Sequence, residues 1–281
     1  MINWRIGLST GCFYNQSILD CLSLVRESGF DTIEVCSSPT HLDFHNKAAV
    51  QRAAGRIKEL HLEAYSFHAP FAPHIDIAAL DSKQREASIK EILTAAEAAA
   101  ALNVHYFVIH PGPEDPPPTR SEEQLPRLQH VIHSLDQIAK RCREFGISCV
   151  LENKLPHLIF GSTGEILWIL DGLKDVGVGM CLDVGHAYVA GADMNDLFKV
   201  RGRLMMIHAH DNRGHSDDHL APGDGTIDWS RLLGTLVQID FHGAFILEMA
   251  GTGDPALTMT NARRGRSYLR DLARNLVLVK K

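Results

Sequence analysis

The sequence predicts a single (β/α)8 TIM barrel, and three observations carry that prediction. Short apolar runs alternate with longer helical patterns about eight times, with no linker or low-complexity break. The runs are four to eight residues of mostly Val, Ile, Leu, Met, Phe or Cys, the composition of parallel strands buried on both faces. The chain of 281 residues matches the roughly 250 residues that such barrels occupy as one unit, so residues 1–281 are read as one domain.

The elements follow in order. Arg5 to Thr10 reads as the first strand, and Ser17 to Ser28 as a helix stopped by Gly29. Thr32 to Ser37 and Lys47 to His61 form the next pair. Glu63 to His68 is followed by Ser82 to Leu102, where Ile89, Ile92, Leu93 and Ala96 recur at helical spacing on a polar and alanine-rich background. His105 to His110 precedes the helix Glu122 to Phe145, with Gly146 as its stop. Further strands are expected at Ser148 to Glu152, Val178 to Asp183, Leu204 to His210 and Ala244 to Met249. Later helices are expected at Gly164 to Leu173, Trp229 to Gln238 and Met259 to Leu278, with Gly177 before the sixth strand. An open, doubly wound sheet is the alternative, but no GxGxxG turn follows the first strand, so a dinucleotide fold gains nothing.

A formal net charge of −6 supplies no global attraction for nucleic acid or an anionic membrane. No apolar run approaches the roughly 20 residues that span a bilayer, and MINWRIGLST lacks the pattern of a signal peptide. A cytoplasmic location is the default expectation. Six cysteines (Cys12, Cys21, Cys36, Cys142, Cys149, Cys181) form no CxxC pair and are read as buried, reduced thiols.

The sixteen histidines are more informative. In a parallel barrel the loops after the strands share one rim, where active sites lie. The third strand ends SFHAP with His68, the fourth VIHPG with His110 and the fifth VLENK with Glu152. CLDVGH brings Asp183 and His186, IHAHDN brings His208, His210 and Asp211, and ILEMAG brings Glu248. The loop DDHLAPGDG adds Asp217, Asp218 and His219. So many ionisable groups in one funnel are too costly to bury unless they are paired or bind cations. Mixed imidazole and carboxylate donors without thiolate suit Zn2+ first, with Mn2+ or Co2+ as alternatives. His208 and His210, two apart on a strand, point to the same side. Asp211 or Asp218 is a candidate acceptor behind a ligating imidazole. His45, His74, His157 and His242 are read as surface or packing residues.

At these residues the sequence resembles the xylose isomerase-like barrel superfamily, which groups sugar isomerases and epimerases with the DNA-repair enzyme endonuclease IV. The likeness runs from about Ile6 to Gly251 and is most specific in HPG, LEN, LDVGH, HAHDN, DDHLAPGDGTIDW and LEMAG. The resemblance implies one of two sites. In the epimerase branch a single divalent ion is held by a set that maps to Glu152, Asp183, His208 and Glu248. In endonuclease IV three zinc ions use nine ligands, which map to His68, His110, Glu152, Asp183, His186, His208, Asp217, His219 and Glu248. The loops GCFYNQS and CSSPTHLDFHN do not match those that press into DNA in the endonuclease, which argues against nucleic acid as partner.

Two chemistries follow. The first is a metal-dependent isomerase or epimerase of a small sugar, polyol or sugar phosphate, working through a metal-stabilised enediolate. Glu152 and Glu248 then exchange protons from opposite sides, while His186, His210 and Arg213 contact substrate. The second is a multi-zinc phosphoesterase of the AP endonuclease 2 kind, in which Glu152 bridges two ions and His186, Asp217 and His219 hold a third. GDG at Gly223 to Gly225 is read as a turn, Arg263, Arg264 and Arg266 as a solvated helix face, and Pro111 to Thr119 as a stiff wall over the rim.

Overall fold

The computed structural model describes residues 4–114, 120–173 and 177–278. Eight parallel strands pair in chain order: β1 (Ile6–Ser9), β2 (Thr32–Cys36), β3 (Glu63–His68), β4 (Tyr106–Ile109), β5 (Ser148–Glu152), β6 (Gly179–Asp183), β7 (Leu204–Ala209) and β8 (Ala244–Leu247). β8 bonds back to β1 and closes the barrel. The helices are α1 (Ile18–Glu27), α2 (Lys47–Glu59), α3 (Ser82–Ala101), α4 (Ser121–Glu144), α5 (Thr163–Gly172), α6 (Val184–Val189), α7 (Trp229–Gln238) and α8 (Pro255–Leu278). This is the expected (β/α)8 barrel. Among the described residues, no helix is long and apolar enough to cross a membrane.

Local chemistry sets the element ends. Ser17, Asn46, Asp81, Ser162 and Asp228 each accept a hydrogen bond from a backbone N–H in the first turn of α1, α2, α3, α5 and α7, satisfying donors that a helix start leaves free. Gly29, Gly146 and Gly177 have φ of +80°, +76° and +71°, the left-handed conformation in which glycine escapes the Cβ penalty. They stand where the sequence placed the stops.

Strand period then builds the floor of the site. Val108, Val150, Cys181, Met206, Ala244 and Ile246 form an apolar cluster inside the barrel. Their alternating neighbours Phe107, Ile109, Leu151, Leu182, Ile207, Phe245 and Leu247 belong to the larger core against the helices. Two residues beyond Val108, Val150, Cys181, Met206 and Ile246, on the same inward side, come His110, Glu152, Asp183, His208 and Glu248. The rim is therefore a polar layer stacked on an apolar one.

The helix after β6 has only six residues, too few to show a period of 3.6 in sequence. Asp183 both ends β6 and caps α6, accepting from the His186 backbone N–H at 2.7 Å. α8 begins about one turn earlier than expected, at Pro255, a residue suited to a first helical turn.

Candidate active site

The predicted residues converge as two neighbouring groups. In the inner one, Glu152, Asp183, His208 and Glu248 each offer a donor atom within 4.8 Å of the others. His68, Glu152 and His208 form an overlapping set on the same criterion. Glu152 is the hub: its Oε2 accepts from Nε2 of His68 at 3.1 Å and of His110 at 3.2 Å, and its Oε1 accepts from Nδ1 of His208 at 3.1 Å. Asp183 and His208 are direct partners in the β6–β7 register.

The outer group consists of His186 on α6 with Asp217 and His219 on the β7–α7 loop, and His210 beneath them. Asp217 Oδ2 accepts from Nε2 of His219 at 3.1 Å and of His186 at 3.2 Å. Asp217 Oδ1 is buried without a hydrogen-bond partner, an anionic oxygen that a cation would satisfy. His219 takes φ of +45°, a conformation costing a non-glycine residue about 1–3 kcal/mol.

Most imidazoles are aimed by their second nitrogen. Nδ1 of His68, His186 and His219 donates to the carbonyl oxygens of Ala69, Asn153 and Glu248 at 2.9, 3.0 and 2.8 Å. Nδ1 of His110 donates to Glu114 at 3.0 Å, and Nε2 of His208 to Glu34 at 3.0 Å. In all five the nitrogen left over faces the shared carboxylates, the arrangement that fixes imidazole ligands at metal sites.

The charges are strongly coupled. Burial alone would raise the Glu152 carboxyl, but the His208 and His110 imidazoles outweigh it and hold Glu152 well below the usual carboxylate range. Burial raises Glu248, opposed by His208 and reinforced by Glu152 and Glu34. Burial would lower the histidines, yet Asp183 with Asp217 and Glu152 pushes His186 up to about 10. Glu152 lifts His68 to about 9, and Asp217 with Glu248 lifts His219 to about 9.

Above both groups lies a cavity of about 670 Å3, lined by His68, His110, Glu152, His186, Asp217, His219 and Glu248 among others. Two residues expected to touch substrate are placed elsewhere. His210 is fully buried, covered by the parallel His219 ring at 3.9 Å, with Nε2 donating to the Asp183 carboxylate at 3.0 Å. Arg213 is exposed and outside the cavity wall, because Asp211 and Asn212 turn inward and leave it facing outward. Asp211 serves the loop rather than an imidazole, accepting from Trp229 Nε1 at 2.9 Å and from the backbone N–H of Gly223 and Ile227 at 2.8 and 3.2 Å. Asp218 accepts from Ser216. The Gly223 N–H is thereby occupied, so GDG is a turn.

Other expectations also shift. His45, paired with Glu91, and His74 line the cavity mouth. Arg264 pairs with Asp224 and Arg266 donates to the carbonyls of Gly29 and Ser28, so that helix face is not merely solvated. The six cysteines are free. Of the proline-rich wall, Pro111 to Glu114 are described and 115–119 lie outside the described residues.

Three functional candidates escaped the sequence reading. Glu34 of β2 is fully buried inside the barrel and bonds His208, Ser66 and Ser9. Its signal was an acid at the centre of the otherwise apolar strand TIEVC. Glu114, on the β4–α4 loop, bonds His110 and ties it to Lys154 after β5 through a 2.7 Å ion pair, which no local pattern announces.

A model of the xylose isomerase-like TIM barrel family matches residues 22–272. The chain belongs to that family. Its relatives include the uncharacterized protein MJ1311 of Methanocaldococcus jannaschii, 28% identical and covering 88% of this chain and 84% of that one. The inosose isomerase of Halalkalibacterium halodurans is 25% identical, covering 84% and 83%. A probable endonuclease 4 of Mycobacterium ulcerans is 27% identical over 66% and 73%. Solved structures of the same fold include a D-tagatose 3-epimerase-like protein, with a TM-score of 0.83, 24% identity and coverage of 99% and 100%. The IOLI protein with a bound zinc atom superposes with a TM-score of 0.81 at 18% identity, covering 97% and 99%.

Proposed function

We propose that this protein is a metal-dependent isomerase or epimerase of a small sugar or polyol, and that residues 1–281 work as one barrel domain. One observation carries the reading. Glu152 and Glu248, from β5 and the end of β8, bring carboxylate oxygens within 4.8 Å of each other and of Asp183 and His208, at the floor of a cavity sized for a small molecule. Carbon–hydrogen bond exchange next to a carbonyl needs one group to take a proton and another to return it. Two carboxylates on different strands can approach one carbon from different sides.

The donor set fits a divalent cation: it is imidazole and carboxylate without thiolate, and its histidines are already oriented through their far nitrogens. Glu152, Asp183, His208 and Glu248 would hold the ion, Zn2+ before Mn2+ or Co2+. When bound it supplies positive charge that stabilises developing negative charge on substrate oxygen. Glu152, fully buried and bonded to three imidazoles, keeps a fixed position as proton acceptor. Glu248, whose side chain is 16% exposed, has more freedom to deliver a proton. His186, at the cavity edge, orients a hydroxyl. The inosose isomerase relative and the epimerase-like fold neighbour are consistent with this chemistry.

A multi-zinc phosphoesterase is the second reading, favoured by the outer group of His186, Asp217 and His219 and by the endonuclease 4 relative. The test is incubation of the metal-loaded protein with ketoses and inososes in deuterated water, read by proton NMR. Deuterium entering at the carbon beside the carbonyl is expected. Cleavage of an abasic-site duplex or of bis(p-nitrophenyl) phosphate, with no exchange in any sugar, sinks the isomerase reading.

A further inference from the structure

The sequence places Lys154 two residues beyond Glu152, on the chain as it leaves β5. Its side chain is 2% exposed, an unusual setting for an ammonium, which is costly to bury unless it is paired and hydrogen-bonded. Nζ donates to the carbonyls of Gly112 and Pro113 at 3.1 and 2.8 Å and to Glu114 Oε1 at 2.7 Å. An ammonium has three N–H donors, and all three are directed at the loop after β4. That loop also packs directly on the chain after β5: a Cβ on Gly112 would meet Ile159 at 2.6 Å. Lys154 thereby clamps the segment from Gly112 to Glu114 against the end of β5.

The clamp has a direction. Glu114 Oε1, the oxygen that takes the Lys154 donor, also accepts from His110 Nδ1 at 3.0 Å. A carboxylate only accepts, so Nδ1 carries the proton. The other ring nitrogen of His110, Nε2, lies 3.2 Å from Glu152 Oε2. The bonds therefore run from Lys154 through Glu114 and His110 back to Glu152, leaving β5 and returning to it by way of β4. The Phe71 ring lies 5.1 Å from that of His110, which restrains the imidazole from a further side.

We propose, resting on the isomerase reading above, that Lys154 and Glu114 are positioning residues for proton exchange. They hold His110 so that its Nε2–H fixes Oε2 of Glu152, and His110 itself stays outside the ligand set of the ion. His68 Nε2 bonds the same oxygen at 3.1 Å from the β3 side, and His208 Nδ1 holds Oε1 at 3.1 Å. A carboxylate bonded at both oxygens is kept from turning about its Cγ–Cδ bond. A misplacement on the order of 1 Å at a reacting group costs about 100-fold in rate, and the clamp guards Glu152 against that displacement.

The experiment compares Glu114→Ala with Glu114→Gln, both at a side chain that is 30% exposed, by deuterium exchange at saturating zinc. Glu114→Ala is expected to lower kcat by about 10–100-fold, with KM changed by less than about two-fold. Glu114→Gln, which restores an acceptor oxygen for Nδ1–H, is expected to recover most of that loss. A second readout is independent of turnover: long-range proton–nitrogen NMR of histidine-labelled protein, with His110 assigned by its loss in His110→Gln. Protons on both ring nitrogens of His110 are expected in the zinc-free and the zinc-loaded protein alike. A zinc-bound Nε2 overturns the inference, as does a Glu114→Ala kcat within about two-fold of the parent, a loss confined to KM, or a Gln variant no better than Ala. Each of these leaves the isomerase reading standing as long as the parent protein exchanges deuterium. No exchange by the parent with any ketose or inosose removes that reading, and the inference with it.

Discussion

The inner and outer groups of the rim carry similar side chains but are built in different ways. Glu152, Asp183 and His208 belong to strands, and the parallel register that pairs Asp183 with His208 sets their positions. Their side chains are 0–1% exposed. His186, Asp217 and His219 sit on a six-residue helix and a loop, at 12–30% exposure. The outer group is held indirectly, through Asp211 gathering the loop and through Gly185, where a Cβ would run into the His210 ring. A site made by strand register is as rigid as the sheet, whereas one made by a loop is only as rigid as the bonds that fold the loop.

Removing the hub should have the largest effect. Glu152→Gln is expected to lower the exchange rate by about 10^3-fold, within the usual range for a proton-transfer group, and to lose the inner ion. Elemental analysis and exchange NMR check both. Activity that survives within ten-fold would show that the inner group is not the reacting one.

The outer group should instead fail through its scaffold. Asp211→Ala leaves the Trp229 Nε1–H and the Gly223 and Ile227 N–H groups without their acceptor, at a cost of about 3 kcal/mol or more, given about 1–3 kcal/mol for each buried group stranded. Chemical denaturation should show that loss, and metal analysis should show the inner ion retained. Loss of the inner ion as well would erase the distinction.

Glu34→Gln tests whether orientation matters inside the barrel. Weakening the Glu34–His208 bond is expected to reduce affinity for the inner ion by about 10–100-fold, as read by competition with a chelator, while the fold persists. His219→Ala should leave zinc content unchanged and lower exchange activity by less than about ten-fold. A collapse of activity on that change would instead favour the phosphoesterase, whose chemistry uses the outer ion.

The smallest effect is on pH dependence without metal. His68, His186 and His219 rise from an ordinary 6.5 to about 9, 10 and 9 on folding. Their stabilisation is therefore complete below pH 6.5 and lost as pH climbs through 9 to 10. Glu114 falls from 4.5 to about 2, so its contribution is present above pH 4.5 and lost as pH drops towards 2. Chelator-treated protein should have its highest melting temperature between about pH 4.5 and 6.5 and decline towards pH 9.5. Zinc uptake near neutrality should release protons and flatten that decline. A metal-free melting curve that improves from pH 6.5 to 9.5 would contradict the paired geometry.

Much of the site was legible because period two is visible in a strand: HAH, LEN and LEM each announce an inward polar residue after an apolar one. Glu34 was harder to see because it sits at mid-strand, below the rim, where the pattern alone reads as a burial anomaly. Lys154 looked like an ordinary polar residue after a strand, since its partners lie on the preceding loop. The surroundings of His210 and Arg213 were hidden for a related reason: sequence placed both near the rim, but could not show that the His219 ring stacks over one while the other stays exposed outside the cavity lining.

By itself, then, the sequence determined the barrel, its strand order, its helix stops and the ring of imidazole and carboxylate, because apolar periodicity and glycine punctuation are local properties of the chain. The tertiary structure alone decided which nitrogen of each histidine faces the shared carboxylates, that the ring divides into an inner and an outer group, and that Lys154 is spent on carbonyls. These depend on hydrogen bonds between residues up to 174 positions apart. Only the closing of β8 onto β1 brings such partners within reach of one another.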